Sequence, residues 1–252
     1  MGVIFHEAIY QPLYNILIFL YNTIPGQDFG IAIVVATLLI KAALMPISKK
    51  QIESQKRMQD IQPQIKEIQN KHKNDKEKQT KEIMKFYKEN KVNPFSGCLP
   101  LIVQLVFLIA IYRVLINISA SGLVISGDDL YSFIHNPGGL RHMFLGIVDL
   151  TKPSILFAIL AAGAQFWQTK MLLKKQADKS DKKEEKDTKN PDFAQMMSKQ
   201  MLILGPAMTL FIGITFAAGL SLYWLVSTLF AVFQQLYIFK KESQKGQISR
   251  KI

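Results

Sequence analysis

Long apolar runs alternate with heavily charged ones along the 252 residues. Phe29 to Ser48, FGIAIVVATLLIKAALMPIS, is apolar apart from Lys41. At about 1.5 Å per residue, such a run spans the roughly 30 Å of a bilayer's hydrocarbon. A lysine inside it is costly, about 3 kcal/mol on insertion scales. Two readings of Lys41 stand open from position alone. It snorkels toward the headgroups beside Lys49 and Lys50, or it faces a hydrated cavity walled by protein.

The same pattern divides the rest of the chain. Residues 1–28 carry a helical apolar period (Ile9, Leu13, Ile16, Leu17, Leu20), with Glu7, Gln11 and Asn15 off that face and Tyr10, Tyr14 and Tyr21 suited to headgroups. They predict an extracytoplasmic helix on the membrane surface, a true span being the alternative. Transmembrane helix 1 is expected at 29–48, closed by Pro46. Residues 49–93 are charged, yet Ile52, Ile61, Ile65, Ile68, Ile83, Phe86 and Tyr87 keep a helical spacing. That predicts a two-helix hairpin, turning at KHKNDKEK and broken or kinked at Pro63. Span 2 follows at 94–118 with Pro100 inside it, then a loop at 119–153 and span 3 at 154–173. Residues 174–199 form a linker whose Lys/Asp/Glu-rich stretch reads as disordered. Gln200 to Phe239 is free of charge and histidine, and as one helix it would be twice too long for a bilayer. It predicts spans 4 and 5 at 200–216 and 219–239, joined at Ala217-Ala218-Gly219. Residues 240–252 are a basic, flexible tail.

Charge orients these elements. Segments 49–93, 174–199 and 240–252 are rich in lysine, whereas 1–28 and 119–153 hold only Arg141 and Lys152 among their basic residues. The positive-inside rule puts the amino terminus outside and the carboxyl terminus in the cytoplasm. The fold class is an all-α polytopic membrane protein with five transmembrane helices and a cytoplasmic helical hairpin between the first two. The net charge of +12 therefore reads as topology rather than as nucleic-acid binding. Residues 1–12 lack Lys and Arg and no small-residue cleavage site follows, so no cleaved leader is expected.

Candidate chemistry is sparse. The single cysteine, Cys98, excludes an intrachain disulfide and a CxxC metal site, and the four histidines are scattered. There is no nucleotide loop, and Ser48 lies seven residues from Lys41, a poor peptidase dyad. No enzyme activity, cofactor or metal is expected. A small-solute transporter or channel is the alternative from another class, but no internal repeat, charge ring or filter loop supports it. A structural scaffold within a larger translocon is a third. The spans do carry amides, Gln104, Gln165 and Gln168, and small hydroxyls, Ser221, Ser227 and Thr228. Each alone reads as interhelical glue; together they could line a shallow polar groove.

Several stretches then resemble one family. VNPFSGCLPLIVQLVFLIAIYRVL at 92–115 resembles the second-span signature of the YidC family of membrane-protein insertases. FLGIVDLTKPSILFAILAAGAQFWQTKM at 144–171 is similar to its third span, and FAAGLSLYWLVSTLFAVFQQ at 216–235 to its last hairpin and span. YQPLYNILIFLYN and IQPQIKEIQ also fit. The resemblance covers nearly the whole chain and matches the short bacterial form, without the large periplasmic domain. It implies residence in the bacterial cytoplasmic membrane and five spans around a hydrophilic groove open to cytoplasm and lipid. The partners it implies are nascent membrane proteins, with a ribosome and the Sec translocon as further candidates, and one copy suffices for function. The family usually has arginine where this chain has Lys41, which keeps the charge and loses the guanidinium fork. Carried over residue by residue, the groove comprises Lys41 with Gln168 and Trp224 beside it, and Gln104 and Gln165 as weaker members.

Overall fold

The computed structural model describes residues 3–90, 92–93, 99–120, 124–180 and 193–248. Nine helices and one small hairpin make up these described residues: α1 (Val3–Thr23, containing a π-helical turn at His6–Tyr10), α2 (Phe29–Ala43), α3 (Met45–Asp60), α4 (Gln62–Lys71), α5 (Lys76–Glu89), α6 (Leu99–Ala120), β1 (Met143–Phe144), β2 (Val148–Asp149), α7 (Ile155–Ser180), α8 (Phe193–Thr215) and α9 (Ala218–Ile248). The chain divides into two compact units, Met1–Ala43 with Leu105–Leu173 and Thr188–Ile252, and Leu44–Gln104 with Lys174–Asp187.

In the smaller unit, proline sets the breaks. Pro46 lacks an N–H and its ring crowds the carbonyl four residues back, so the helix that begins at Phe29 stops at Ala43 and a new one starts at Met45. Pro63 does the same between α3 and α4, where it occupies the first turn of the second helix. The α4–α5 turn is stopped by Asp75, whose carboxylate accepts the Lys78 N–H at 2.9 Å as an N-cap. The two helices pack together, with Ile65 buried and the Gln79 side chain donating to the Gln69 carbonyl at 2.8 Å.

The larger unit is built around α2, which packs along α9 and α1. Its core joins Leu17, Ile18 and Tyr21 of α1, Ala32, Ile33 and Ala36 of α2, Ala110, Ile111 and Val114 of α6, and Leu222 and Tyr223 of α9. Small residues set the close approaches. A Cβ at Gly213 of α8 would stand 2.7 Å from the Ala158 Cβ of α7, and one at Gly219 would stand 3.0 Å from Leu115.

Loop 124–154 closes one end of this unit. It bonds to the first residues of α9, where the Ala218 N–H donates to the Lys152 carbonyl (2.8 Å) and the Gly219 N–H to the Leu150 carbonyl (3.0 Å). It also bonds to the start of α2. The Asp28 carboxylate accepts from Ile31 N–H at 3.0 Å, capping the helix, and from Leu145 N–H at 2.6 Å. Helices α2, α7 and α9 therefore all lead away from the loop. Near its end the Asp149 carboxylate, partly desolvated, is held below the usual range by hydrogen bonds from Thr151 and by Lys152.

Several expectations need correction. Tyr10, Tyr14 and Tyr21, read as headgroup residues, are buried, and so is Asn15. The buried side of α1 joins Leu13, Leu17 and Ile18 to these tyrosines and Asn15, because α1 meets both the apolar core and a loop that offers polar partners. Tyr14 donates to the Ser126 carbonyl (3.1 Å), the Arg141 N–H donates to Tyr21 Oη (2.9 Å), and Asn117 donates to Tyr10 Oη (2.8 Å). Ile16 and Phe19 consequently point outward. Pro100 falls in the first turn of α6 rather than inside it, where its missing N–H costs nothing. Helix α7 runs on to Ser180 and α9 to Ile248, past the expected ends at 173 and 239, since Lys, Glu, Gln and Ala are good helix formers. Helix α8 begins at Phe193, within the expected linker, and residues 94–98, 181–192 and 249–252 of the expected span 2, linker and tail lie outside the described residues. Loop 119–153 contains an unexpected hairpin, with Met143 opposite Asp149 and Phe144 opposite Val148.

Asn15 is the main fastening of α1 to the loop. Its amide donates to the Gln11 and Asp129 carbonyls, both at 2.8 Å, and its carbonyl accepts the Tyr131 N–H at 2.7 Å. Asn15→Leu keeps the volume, strands the Tyr131 N–H at about 1–3 kcal/mol if it is left buried and unpaired, and leaves the Asp129 carbonyl only the longer bond from Gln11 at 3.4 Å. The expected result is a lower melting temperature in detergent and faster proteolysis within residues 126–141.

Candidate functional site

Lys41 lies in the last turn of α2, three residues before the helix breaks at Leu44. Its side chain is half-buried, while Leu38 and Leu39 before it are exposed. A cation suits a helix carboxyl end, where the peptide carbonyls gather partial negative charge. The break adds a second polar feature, because Pro46 cannot donate to the Ala42 carbonyl that would otherwise accept its N–H. A carbonyl that has lost its helical donor and an ammonium are both polar groups within an apolar run.

The neighbouring helices supply polar groups at a similar depth. The Gly219 position on α9 approaches Ile33 on α2, which sets the register between those two helices. Lys41 is eight residues beyond Ile33, about 12 Å, and Trp224 is five beyond Gly219, about 7.5 Å, so they stand within about one helical turn of each other in depth. Trp224 donates its indole N–H to Gln165 Oε1 of α7 at 3.4 Å. On its other side Gln165 Nε2 lies 3.9 Å from where a Gly205 Cβ would be, against α8. Gly205 precedes Pro206, which interrupts the hydrogen bonding of α8 from within, and the buried Thr209 hydroxyl donates back to the Gly205 carbonyl at 3.1 Å.

Two sequence-predicted residues are thus brought together, Gln165 and Trp224. The partner described for Trp224 is Gln165 and not Gln168, which sits half-buried on α7 one turn further on. Gln104 belongs to the other unit. Thr209 and the Gly205-Pro206 step were not singled out by the sequence, although a proline inside an apolar run signals freed carbonyls. The site offers a cation, amides, an indole donor and hydroxyls. That set can hydrate and hydrogen-bond a passing polar chain.

Around it the surface is the reverse of a soluble protein's. Ile155, Leu156, Ile159 and Leu160 on α7, Ile203, Leu204 and Phe211 on α8, and Phe233 on α9 are all exposed. So large an outward apolar surface needs lipid as its solvent. Among the described residues, Val3–Thr23 and Ala218–Ile238 are each long and apolar enough to cross a membrane, as is the broken pair Phe29–Ala43 with Met45–Ser54 if taken as one. Ile102–Ile118 and Leu202–Thr215 are shorter apolar helices. Fold and site define a helical membrane protein with a polar patch among its apolar helices.

Comparison with known proteins specifies the class. A family model described as 60Kd inner membrane protein matches residues 19–245. The chain is 34% identical over 235 residues to membrane protein insertase YidC of Fusobacterium nucleatum, covering 92% of this chain and 98% of that protein. The insertase YidC of Clostridium tetani is 35% identical over 228 residues, 90% and 89% of the two chains. That of Streptomyces avermitilis is 29% identical over 237 residues, 88% of this chain and 53% of the longer relative. The chain belongs to the 60Kd inner membrane protein family, the YidC group of membrane-protein insertases. The activity is insertion of membrane proteins and the setting is the membrane, and the transporter alternative is not favoured.

Proposed function

We propose that this chain inserts newly made membrane proteins through a hydrophilic groove that holds Lys41, Gln165, Gln168 and Trp224. The observation that carries this reading is the pairing of a hydrogen-bonded lid at one end of the larger unit with polar groups beyond it, in helices whose outer faces are apolar. In this reading the chain has five spans, with loop 119–153 and the amino terminus outside and the α4–α5 hairpin and carboxyl terminus in the cytoplasm. Helix α1 has the length of a span, but it bonds from Gln11 to Asn22 with loop residues 129–135. Asp128 and Asp129 in that loop belong in water, so we place α1 at the outer surface with Ile16 and Phe19 toward lipid.

The physics of the step follows. A polar tail crossing hydrocarbon loses water at a cost of several kcal/mol for each unsatisfied group. A groove hydrated part-way shortens the dry path. The Lys41 ammonium draws acidic residues of the tail inward, and an inside-negative potential favours their outward passage by about 2.3 kcal/mol per charge per 100 mV. Burying the substrate's apolar helix in lipid drives release. No nucleotide or catalytic group takes part, one copy suffices, and the ribosome and the Sec translocon are further candidate partners. The test is insertion of a purified small substrate into liposomes that contain only this protein. Protection of the translocated tail from external protease is the expected result; solute flux without protection would return the transporter reading.

Orientation has its own test. With Cys98 replaced by serine, a membrane-impermeant thiol reagent applied outside is expected to label a cysteine at Gly127 and to spare one at Asn74. Outside labelling at Asn74 would refute the cytoplasmic hairpin.

A further inference from the structure

The hairpin in the outer loop turns at Leu145-Gly146, and both residues have positive φ, +51° and +70°. The Ile147 N–H closes the turn on the Phe144 carbonyl at 2.9 Å. Turns with two positive φ values ordinarily take Asn-Gly or Asp-Gly, and a branched apolar side chain is strained there. Here the strain is held by Asp28, whose carboxylate accepts the Leu145 N–H. The result is to hold out Leu145, 60% exposed, and Ile147, 78% exposed. The six residues Met143 to Val148 carry no charge, whereas the loop around them contains Asp128, Asp129, Arg141 and Lys152. A polar tip would have been easier to build and more soluble.

The depth of this tip is fixed by two contacts. Asp28 also caps the first turn of α2, and a Cβ on Gly30 would overlap the Phe144 ring. The hairpin therefore packs on the outer end of the apolar run that begins at Phe29. Ile155 and Leu156, which open α7 soon after the hairpin, are exposed as well. The medium that meets apolar side chains at that level, beside a span, is the outer part of the hydrocarbon.

We propose that Leu145 and Ile147 form a lipid anchor, dipping into the acyl chains of the outer leaflet and fixing the depth of α2 through Asp28. The inference rests on the orientation given above. A polarity-sensitive fluorophore on Ile147→Cys, in the full chain with Cys98→Ser, tests it in phosphatidylcholine–phosphatidylglycerol liposomes. The same label on Gly127→Cys is the aqueous reference. Expected at 147 are blue-shifted emission, several-fold stronger quenching by doxyl-labelled phosphatidylcholine than at 127, and protection from iodide. Water-like emission with iodide quenching equal to that at 127 overturns the anchor. Ile147 is exposed, so the cysteine should be tolerated; Leu145→Cys with the same label provides a second probe on the same criteria. Insertion of a small substrate by the labelled protein is read separately, so loss of the anchor and loss of the insertase reading are distinguishable.

Discussion

Lys41→Arg inserts an acidic-tailed substrate as well as the parent chain, Lys41→Leu inserts it poorly, and Lys41→Glu hardly at all. Those are the outcomes expected if the charge at position 41 serves the groove. A unit charge about 8 Å from a tail carboxylate, at an effective dielectric of about 20, is worth about 2 kcal/mol, or about 30-fold in a rate that depends on it. Removing the charge forfeits up to that amount, and Gln165, Gln168 and Trp224 limit the loss by keeping the site hydrated. Reversing the charge adds repulsion of similar size. The measurement is protease protection of the tail in liposomes at matched protein levels, with a neutral-tailed substrate as control. The deficit should follow the number of Asp and Glu in the tail. Equal protection by the Lys, Leu and Glu proteins would mean that Lys41 only snorkels, because Leu should then be tolerated or beneficial. A deficit that ignores tail charge would keep the groove and discard the electrostatic pull.

The second large effect is expected at Gly213. A methyl group there meets the Ala158 Cβ at 2.7 Å and the Ala158 Cα at 2.8 Å. Backbone cannot rotate away as a flexible side chain can, so Gly213→Ala must push α7 and α8 apart. Overpacking of this kind costs about 1–3 kcal/mol, and helices in lipid depend on such close approach because no hydrophobic drive holds them together. Thermal unfolding in detergent should show the loss. Ala158→Gly in the same chain removes the clash with the methyl group at 158 and leaves the clash with the backbone there, so it should restore part of the stability and not all. Additive destabilisation by the two changes would show that the helices do not meet there.

The sequence was informative where chain chemistry is local. Proline without an N–H ends α2 before Pro46 and separates α3 from α4 at Pro63, and the charged stretch around Lys73 turns between α4 and α5. An apolar run too long for one bilayer crossing calls for an interruption, and the chain breaks between Thr215 and Ala218, beside the predicted Ala217-Ala218-Gly219. It was silent where a partner decides. Apolar spacing in α1 groups Ile9, Leu13, Ile16, Leu17 and Leu20, of which Leu13 and Leu17 are buried in the core and Ile16 is exposed, because α1 also meets a loop of carbonyls and N–H groups. That loop draws in Tyr14, Asn15 and Tyr21 as well. Leu145-Gly146 carries no conventional turn signal, and the Leu145 N–H at this positive-φ position is bonded by Asp28, 117 positions away in sequence. In the site, Gln165 and Trp224 meet across 59 positions, a distance over which spacing says nothing.

In the proposed groove, the bonds from Ala218 and Gly219 to the Lys152 and Leu150 carbonyls would also decide how voltage is divided. Salt water in a depression conducts, so a groove open only to the cytoplasm sits at the cytoplasmic potential down to its floor. The whole potential then drops across the capped remainder, which acts as a thin dielectric between two conductors. If the floor lies half-way through about 30 Å of hydrocarbon, the field over the remaining distance is about doubled. A carboxylate leaving the neighbourhood of Lys41 by the proposed path would still gain the full 2.3 kcal/mol or so per 100 mV, but over half the path. In that reading the same cap would stop protons and salt from short-circuiting the potential between substrates.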